Sequence, residues 1–129
     1  MTYSELFTLI QNFTDNNEST FNTTIPDFVK NAEDRIFNLV QSDFFRKNVT
    51  GAVTIDTQYL KTPTDYLYPY SLAVIDSDGN HNYLLNKDVN YIREAYPTAG
   101  TTGLPKVYAQ FDDDSFILGP TPSAAFSIE

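Results

Sequence analysis

The chain has 129 residues and a formal net charge of −9, with 8 Lys and Arg against 17 Asp and Glu. It has no Cys, which excludes disulfides, thiolate metal sites and thiol nucleophiles together. Its few basic residues are scattered, which argues against a binder of phosphate backbones, a task that needs clustered Lys and Arg.

The apolar fraction is 41% and the charged fraction 19%, so the chain reads as one globular domain over 1–129, large enough to bury a core. Nine Tyr and ten Phe without a Trp give an aromatic content suited to half-buried strands and protein interfaces. The acidity is read first as only keeping the protein soluble; the alternative is a surface that repels DNA, of use if the protein lines a channel that DNA must pass. Glu5 and Asp15 fall within the first helical pattern, so no secretory leader is expected. No apolar run is long enough for a bilayer. A protein made in the cytoplasm is expected, in which the sequons at Asn12, Asn17, Asn22 and Asn48 carry no glycan.

In chain order, Thr2 and Glu5 have capping-box spacing, and Leu6, Leu9, Ile10 and Phe13 recur at helical steps. The polar run from Thr14 to Thr24 predicts a mobile loop. A second helix is expected after Thr24, with Pro26 in its first turn and an apolar stripe of Phe28, Val29, Ala32, Ile36, Leu39 and Val40. The run Asp43 to Lys47 is expected to end it, with basic residues favoured by the helix dipole.

From Val49 the period changes to that of strands. Val49, Val53 and Ile55 alternate with Thr residues, Thr62 to Asp65 predicts a turn, and Leu72, Val74 and Ile75 a further strand. Asp78-Gly79 predicts a hairpin leading to Tyr83, Leu84 and Leu85. A short helix is expected over 86–96, capped by Asn86 or Asp88, with Val89, Ile92 and Tyr96 facing inward and Pro97 stopping it. Two strands follow, from Leu104 to Phe111 and over Phe116 to Leu118, around a turn at Asp112-Asp113-Asp114. The last run, Ala125 to Glu129, alternates like a strand. The fold class is α+β: an N-terminal helical hairpin followed by a small antiparallel sheet with one inserted helix.

Candidate chemistry is sparse. His81 is the single His and has neither a Cys partner nor a fixed carboxylate in the sequence. Asp112, Asp113 and Asp114 supply oxygen ligands suited to hard cations, but without the alternating spacing of a calcium loop. Glu33 and Asp34 are adjacent on a helix and so diverge. Gly100 to Gly103 lacks the Lys-Ser/Thr pair of a phosphate loop. No catalytic residue, metal or cofactor is expected. Tyr66, Tyr68 and Tyr70 alternate along an extended segment, as a stacking platform, a subunit contact or a half-buried sheet face would.

The segment Phe28-Val29-Lys30-Asn31-Ala32-Glu33-Asp34-Arg35-Ile36 resembles the second-helix motif of tailed-phage head-to-tail adaptor proteins. Pro63-Thr64-Asp65 is similar to that family's Pro-x-Asp turn, Pro105-Lys106-Val107-Tyr108-Ala109 to its Pro-Lys-x-Tyr-Ala strand, and Phe116 to Pro122 to its Phe-Ile-x-x-Pro-Thr-Pro turn. The matches keep their order over nearly the whole chain. The resemblance implies a structural virion protein that forms a ring of roughly twelve copies between portal and tail, without catalysis. It implies contacts with copies of itself, the portal and tail or nozzle proteins, and a channel that DNA traverses without specific binding. The family's last strand runs on past the position of Glu129, so a C-terminal continuation is expected to be lacking here. On this reading Tyr66, Tyr68 and Tyr70, with Phe126 and Ile128 of the terminal run, are the expected assembly contacts. The alternatives are a stopper or tail-completion protein of the same neck, a ligand-binding module using the Tyr66–Tyr68–Tyr70 face, and a carboxylate- or cation-dependent hydrolase.

Overall fold

A computed structural model of the chain describes residues 1–40 and 42–129. These residues form two compact units, 1–45 and 46–129.

In the first unit, α1 spans Tyr3–Thr14. Its capping box is made as the sequence predicts: Glu5 N donates to Thr2 Oγ1 at 3.3 Å and Thr2 N to Glu5 Oε2 at 2.7 Å. Asp15, left-handed at φ 49°, ends it. Helix α2 spans Ser19–Leu39, so most of the loop expected over 14–24 is helical. The polar run folds because its side chains bond locally without unwinding the backbone: Thr23 Oγ1 donates to Thr20 O and Thr24 Oγ1 to Phe21 O, both at 2.8 Å. Pro26 therefore lies inside the helix, and the Asn22 carbonyl receives no bond from it. Gln11 Nε2 donates to Asn22 Oδ1 at 2.6 Å, joining the two helices into a hairpin. Helix α2 also stops earlier than expected. Val40 is extended at φ −108°, and Ser42 nucleates a separate 3-10 turn over Asp43–Phe45 by accepting from Phe44 N at its hydroxyl and Phe45 N at its carbonyl.

The second unit holds ten short strands and one helix: β1 (Gly51–Ala52), β2 (Tyr59–Lys61), β3 (Ala73–Ile75), β4 (His81–Tyr83), β5 (Leu85–Asn86), α3 (Val89–Ala95), β6 (Thr102–Gly103), β7 (Val107–Gln110), β8 (Ser115–Gly119), β9 (Thr121–Pro122) and β10 (Ser127–Ile128). Two four-stranded sheets run β1-β10-β3-β4 and β2-β8-β7-β5, and β6 pairs with β9. Most pairings are antiparallel, as expected, but β5–β7 and β6–β9 are parallel. The strand expected over Val49 to Ile55 shrinks to β1, because Thr57 N bonds Thr54 O at 3.2 Å and Asp56 turns left-handed at φ 59°. Asn86 belongs to β5, and Asp88 caps α3 by accepting from Asn90 N at 2.8 Å.

The two four-stranded sheets are one rolled surface. Strands β4 and β5 are separated only by Leu84, whose N–H continues the first sheet's ladder to Leu72 O at 2.8 Å. The next amide, Leu85 N, opens the second sheet's ladder to Lys106 O at 3.0 Å. Around the roll the order is β1, β10, β3, β4/β5, β7, β8, β2, which leaves β1 and β2 as free edges. Inside it lie Val53, Leu60, Leu72, Val74, Leu84, Tyr108, Phe116 and Leu118. On its outer face α3 packs Ile92 against Val107, Ala109 and Ile117, with Val89 and Tyr96 at the margin, which accounts for burial on both faces of β8. Gly119 lets Tyr96 approach: a Cβ there would meet the Tyr96 ring at 2.7 Å.

The Asp78-Gly79 hairpin forms between β3 and β4, with Ile75 opposite His81 and Gly79 at φ 84°. Its organiser is Asp76. Oδ1 accepts from Asn80 N at 2.9 Å and Asp78 N at 3.0 Å, while Oδ2 takes the side-chain amides of Asn80 and Asn82 at 3.1 and 3.2 Å.

Candidate assembly surfaces

The expected aromatic triplet does not share a face, because residues 66–70 form no strand and the alternation of period two does not apply. The Tyr66 ring turns inward, edge-on to Phe116 at 5.3 Å, and its hydroxyl donates to Gln110 Oε1 at 2.7 Å. Burial, then the neighbouring Tyr108 and Tyr68, push its pKa up to about 12. Tyr68 and Tyr70 remain outside, 66% and 70% exposed, with Leu67 beside them. The segment is held at both ends. Lys47 Nζ lies 2.5 Å from Asp65 Oδ2, and the Arg46 guanidinium sits 3.6 Å over the Tyr70 ring. The Lys47 hydrogen bond holds the Asp65 carboxyl below the ordinary carboxylate range.

Phe126 and Ile128 are half-buried against the interior of the roll, and β10 lies between β1 and β3. Of the five residues expected at assembly contacts, Tyr68 and Tyr70 are thus exposed, while Tyr66, Phe126 and Ile128 pack against the core.

His81 belongs to β4, and its Nδ1 lies 3.3 Å from Glu129 Oε2. The other carboxylate oxygen of Glu129 accepts from Asn48 Nδ2 at 2.6 Å. This carboxylate bridge ties three distant parts of the chain together. It was invisible in sequence because its members meet only through the sheet.

The ligand oxygens of Asp112, Asp113 and Asp114 lie within 4.8 Å of one another on an exposed turn. Local bonds account for the cluster. Asp112 Oδ1 accepts from Ser115 Oγ at 2.6 Å and Asp114 N at 3.1 Å, and the Ser115 bond leads in lowering the Asp112 pKa.

Sequence reading missed two larger features. In residues 1–45, Ile25 is the one buried apolar side chain among those described. Phe13, Phe28, Ile36, Phe37, Leu39 and Phe44 are all at least 40% exposed. Helical periodicity identified the stripe on α2 but not whether residues 1–45 would cover it by themselves. The second feature is an open groove of about 610 Å³ between the free edges of β1 and β2, floored by Leu60, Leu72, Phe116 and Ile128. No described helix is long and apolar enough to cross a membrane.

None of the curated proteins matches the chain. A family model described as SU10 adaptor protein matches residues 1–129, the whole chain. The protein therefore belongs to the SU10 adaptor protein family, structural adaptors of tailed phages.

Proposed function

We propose that the chain is a head-to-tail adaptor whose copies assemble into a ring of roughly twelve between the portal and the tail of the virion. Its work is mechanical: it joins neighbouring layers of the neck and encloses a channel through which DNA passes. The observation that carries this reading is the surface of residues 1–45. A helix pair that buries one apolar side chain and exposes Phe28, Ile36, Leu39 and Phe44 gains little from folding alone. The same surface gains much from packing against further copies. Exposed Tyr68 and Tyr70, in a segment anchored by the Asp65–Lys47 pair and by Arg46 over the Tyr70 ring, add further aromatic contact surface. A net charge of −9 supports a channel wall that does not hold the DNA backbone.

Native mass spectrometry or electron microscopy of the chain, alone and mixed with its portal, tests the reading. A closed ring joined to the portal is the expected result. A ring that ignores the portal and binds only the layer below makes the protein a stopper or tail-completion component. A persistent monomer in both mixtures overturns the proposal.

A further inference from the structure

The groove between β1 and β2 is the gap in an unfinished barrel. Going around the roll, every strand has a neighbour on each side until the two ends, and the groove is bounded by those ends. Pairing register fixes where the end strands point their backbones. Leu118 N bonds Gln58 O at 2.9 Å and Thr62 N bonds Asp114 O at 2.8 Å, so alternate residues Tyr59 and Lys61 aim N–H and C=O away from β8. Val53 N bonds Phe126 O at 2.9 Å, so Ala52 aims its own N–H and C=O away from β10. Both edges thus present backbone groups toward the gap. Leu60, Leu72 and Phe116, which belong to the interior of the roll, form its floor.

Such an edge invites uncontrolled pairing unless charge, Pro or a cover protects it. Strand β1, Gly51–Ala52, has no such guard, and its neighbours Thr50 and Val53 add none. The lining residues include four Thr and a single charge, Lys61, with no carboxylate, in a chain of net charge −9.

We propose that this gap receives one extended strand from a different virion protein. That strand is apolar at alternate residues, neutral or acidic, and completes the barrel by pairing with β1, β2 or both. The proposal rests on the neck reading above and names a partner chemistry for it. The volume of about 610 Å³ is within the range of sites that enclose a compact ligand, roughly 300–1,000 Å³, and suits a few residues in extended form. A second copy of this chain is a poorer donor. Its exposed aromatic segment, residues 66–70, forms no strand and is tethered by Tyr66 to Gln110, by the adjacent Asp65 to Lys47 and by Tyr70 to Arg46.

The test uses purified particles and the free chain. p-Benzoylphenylalanine at Thr57, in the groove lining, is photolysed in intact particles and the cross-linked peptide is sequenced. Amide exchange at Ala52, Tyr59 and Lys61 is compared between free chain and isolated necks. Ala52→Pro and Lys61→Pro remove donors that point into the gap, while Val53→Pro removes one used inside the sheet. The first two are expected to retain cooperative melting and lose incorporation into particles by about ten-fold or more, whereas Val53→Pro loses the melt itself. A cross-link to an alternating apolar segment of another virion protein, with the three amides protected, supports the proposal. A cross-link to this same chain, or amides that exchange as freely in the neck as in solution, overturns it and leaves the neck reading intact. A chain absent from purified particles overturns the neck reading itself.

Discussion

Replacing Ile36 with Gln separates folding from assembly. In the free chain Ile36 is 51% exposed, so about half of its side chain still faces water. Full burial of an Ile side chain stabilises by about 1.5–3 kcal/mol, which leaves on the order of 1 kcal/mol to be gained when a neighbour covers it. Phe28 at 54%, Leu39 at 71% and Val40 at 50% hold similar reserves. Together the four amount to about 5 kcal/mol per subunit contact, before the entropic cost of association. Ile36→Gln removes its share and places an amide at the contact, which costs a further ~1–3 kcal/mol where it finds no partner. Association is expected to weaken by roughly 30- to 1,000-fold, corresponding to ~2–4 kcal/mol. Folding changes by less than about 1 kcal/mol, because Gln is a good helix former and the site is half wet. Sedimentation velocity across a dilution series reads the association, and urea unfolding of the dilute chain reads the fold. Asp27→Asn, an exposed polar change on α2, is the control. An Ile36→Gln chain that associates within two-fold of the parent would refute the assignment of this stripe to the subunit contact.

Three further outcomes follow from the second unit. Gly119→Ala puts a Cβ within 2.7 Å of the Tyr96 ring and is expected to cost about 1–3 kcal/mol in urea unfolding, with loss of the α3 contacts; a neutral result would mean that Tyr96 moves aside freely. Asp76 has its carboxyl pKa lowered, chiefly by the Asn80 backbone amide, so the turn's stabilisation is present above the ordinary value of 3.8 and is lost as pH falls through the lowered folded value. Amide exchange of Asn80 should accelerate in that acid window, and Asp76→Ala should show the fast exchange already at neutral pH. Tyr66, raised to about 12, contributes stability that is intact below the ordinary value of 10 and fades as pH rises from there toward about 12. Ultraviolet titration should show a late-ionising Tyr that disappears in Tyr66→Phe.

Local signals were legible wherever both partners lie close in sequence. Thr2 with Glu5 and Asp88 with Asn90 bond within a few residues, and left-handed Gly79 lies in a turn bonded locally through Asp76, so the helices and hairpin appear where those residues place them. The apolar run Phe116, Ile117 and Leu118 was legible as a strand, although its burial on both faces depends on α3 arriving from elsewhere. The start of α2 was hidden because Thr and Asn favour loops on average, and only their bonds to nearby carbonyls reveal the helix. Strand β2 escaped notice because its three residues are ordered by β8, far along the chain. The surface of residues 66–70 was misread for the same reason: Gln110 and Phe116 pull Tyr66 out of line with Tyr68 and Tyr70. The groove between β1 and β2 depends on how the sheet rolls up, and no short stretch of sequence encodes that closure.

Because residues 81–86 serve two ladders in succession, the two halves of the sheet share a seam and have no boundary between them. Loss of the Leu84 and Leu85 amide bonds would weaken the seam toward β3 on one side and β7 on the other together, while β3 keeps β10 and β7 keeps β8. The slowest-exchanging protons of this unit should therefore cluster along that stretch, and their opening should match the global unfolding of residues 46–129. Loosening that begins at the free edges of β1 and β2 would therefore have to cross this seam before it could spread from one half of the sheet to the other.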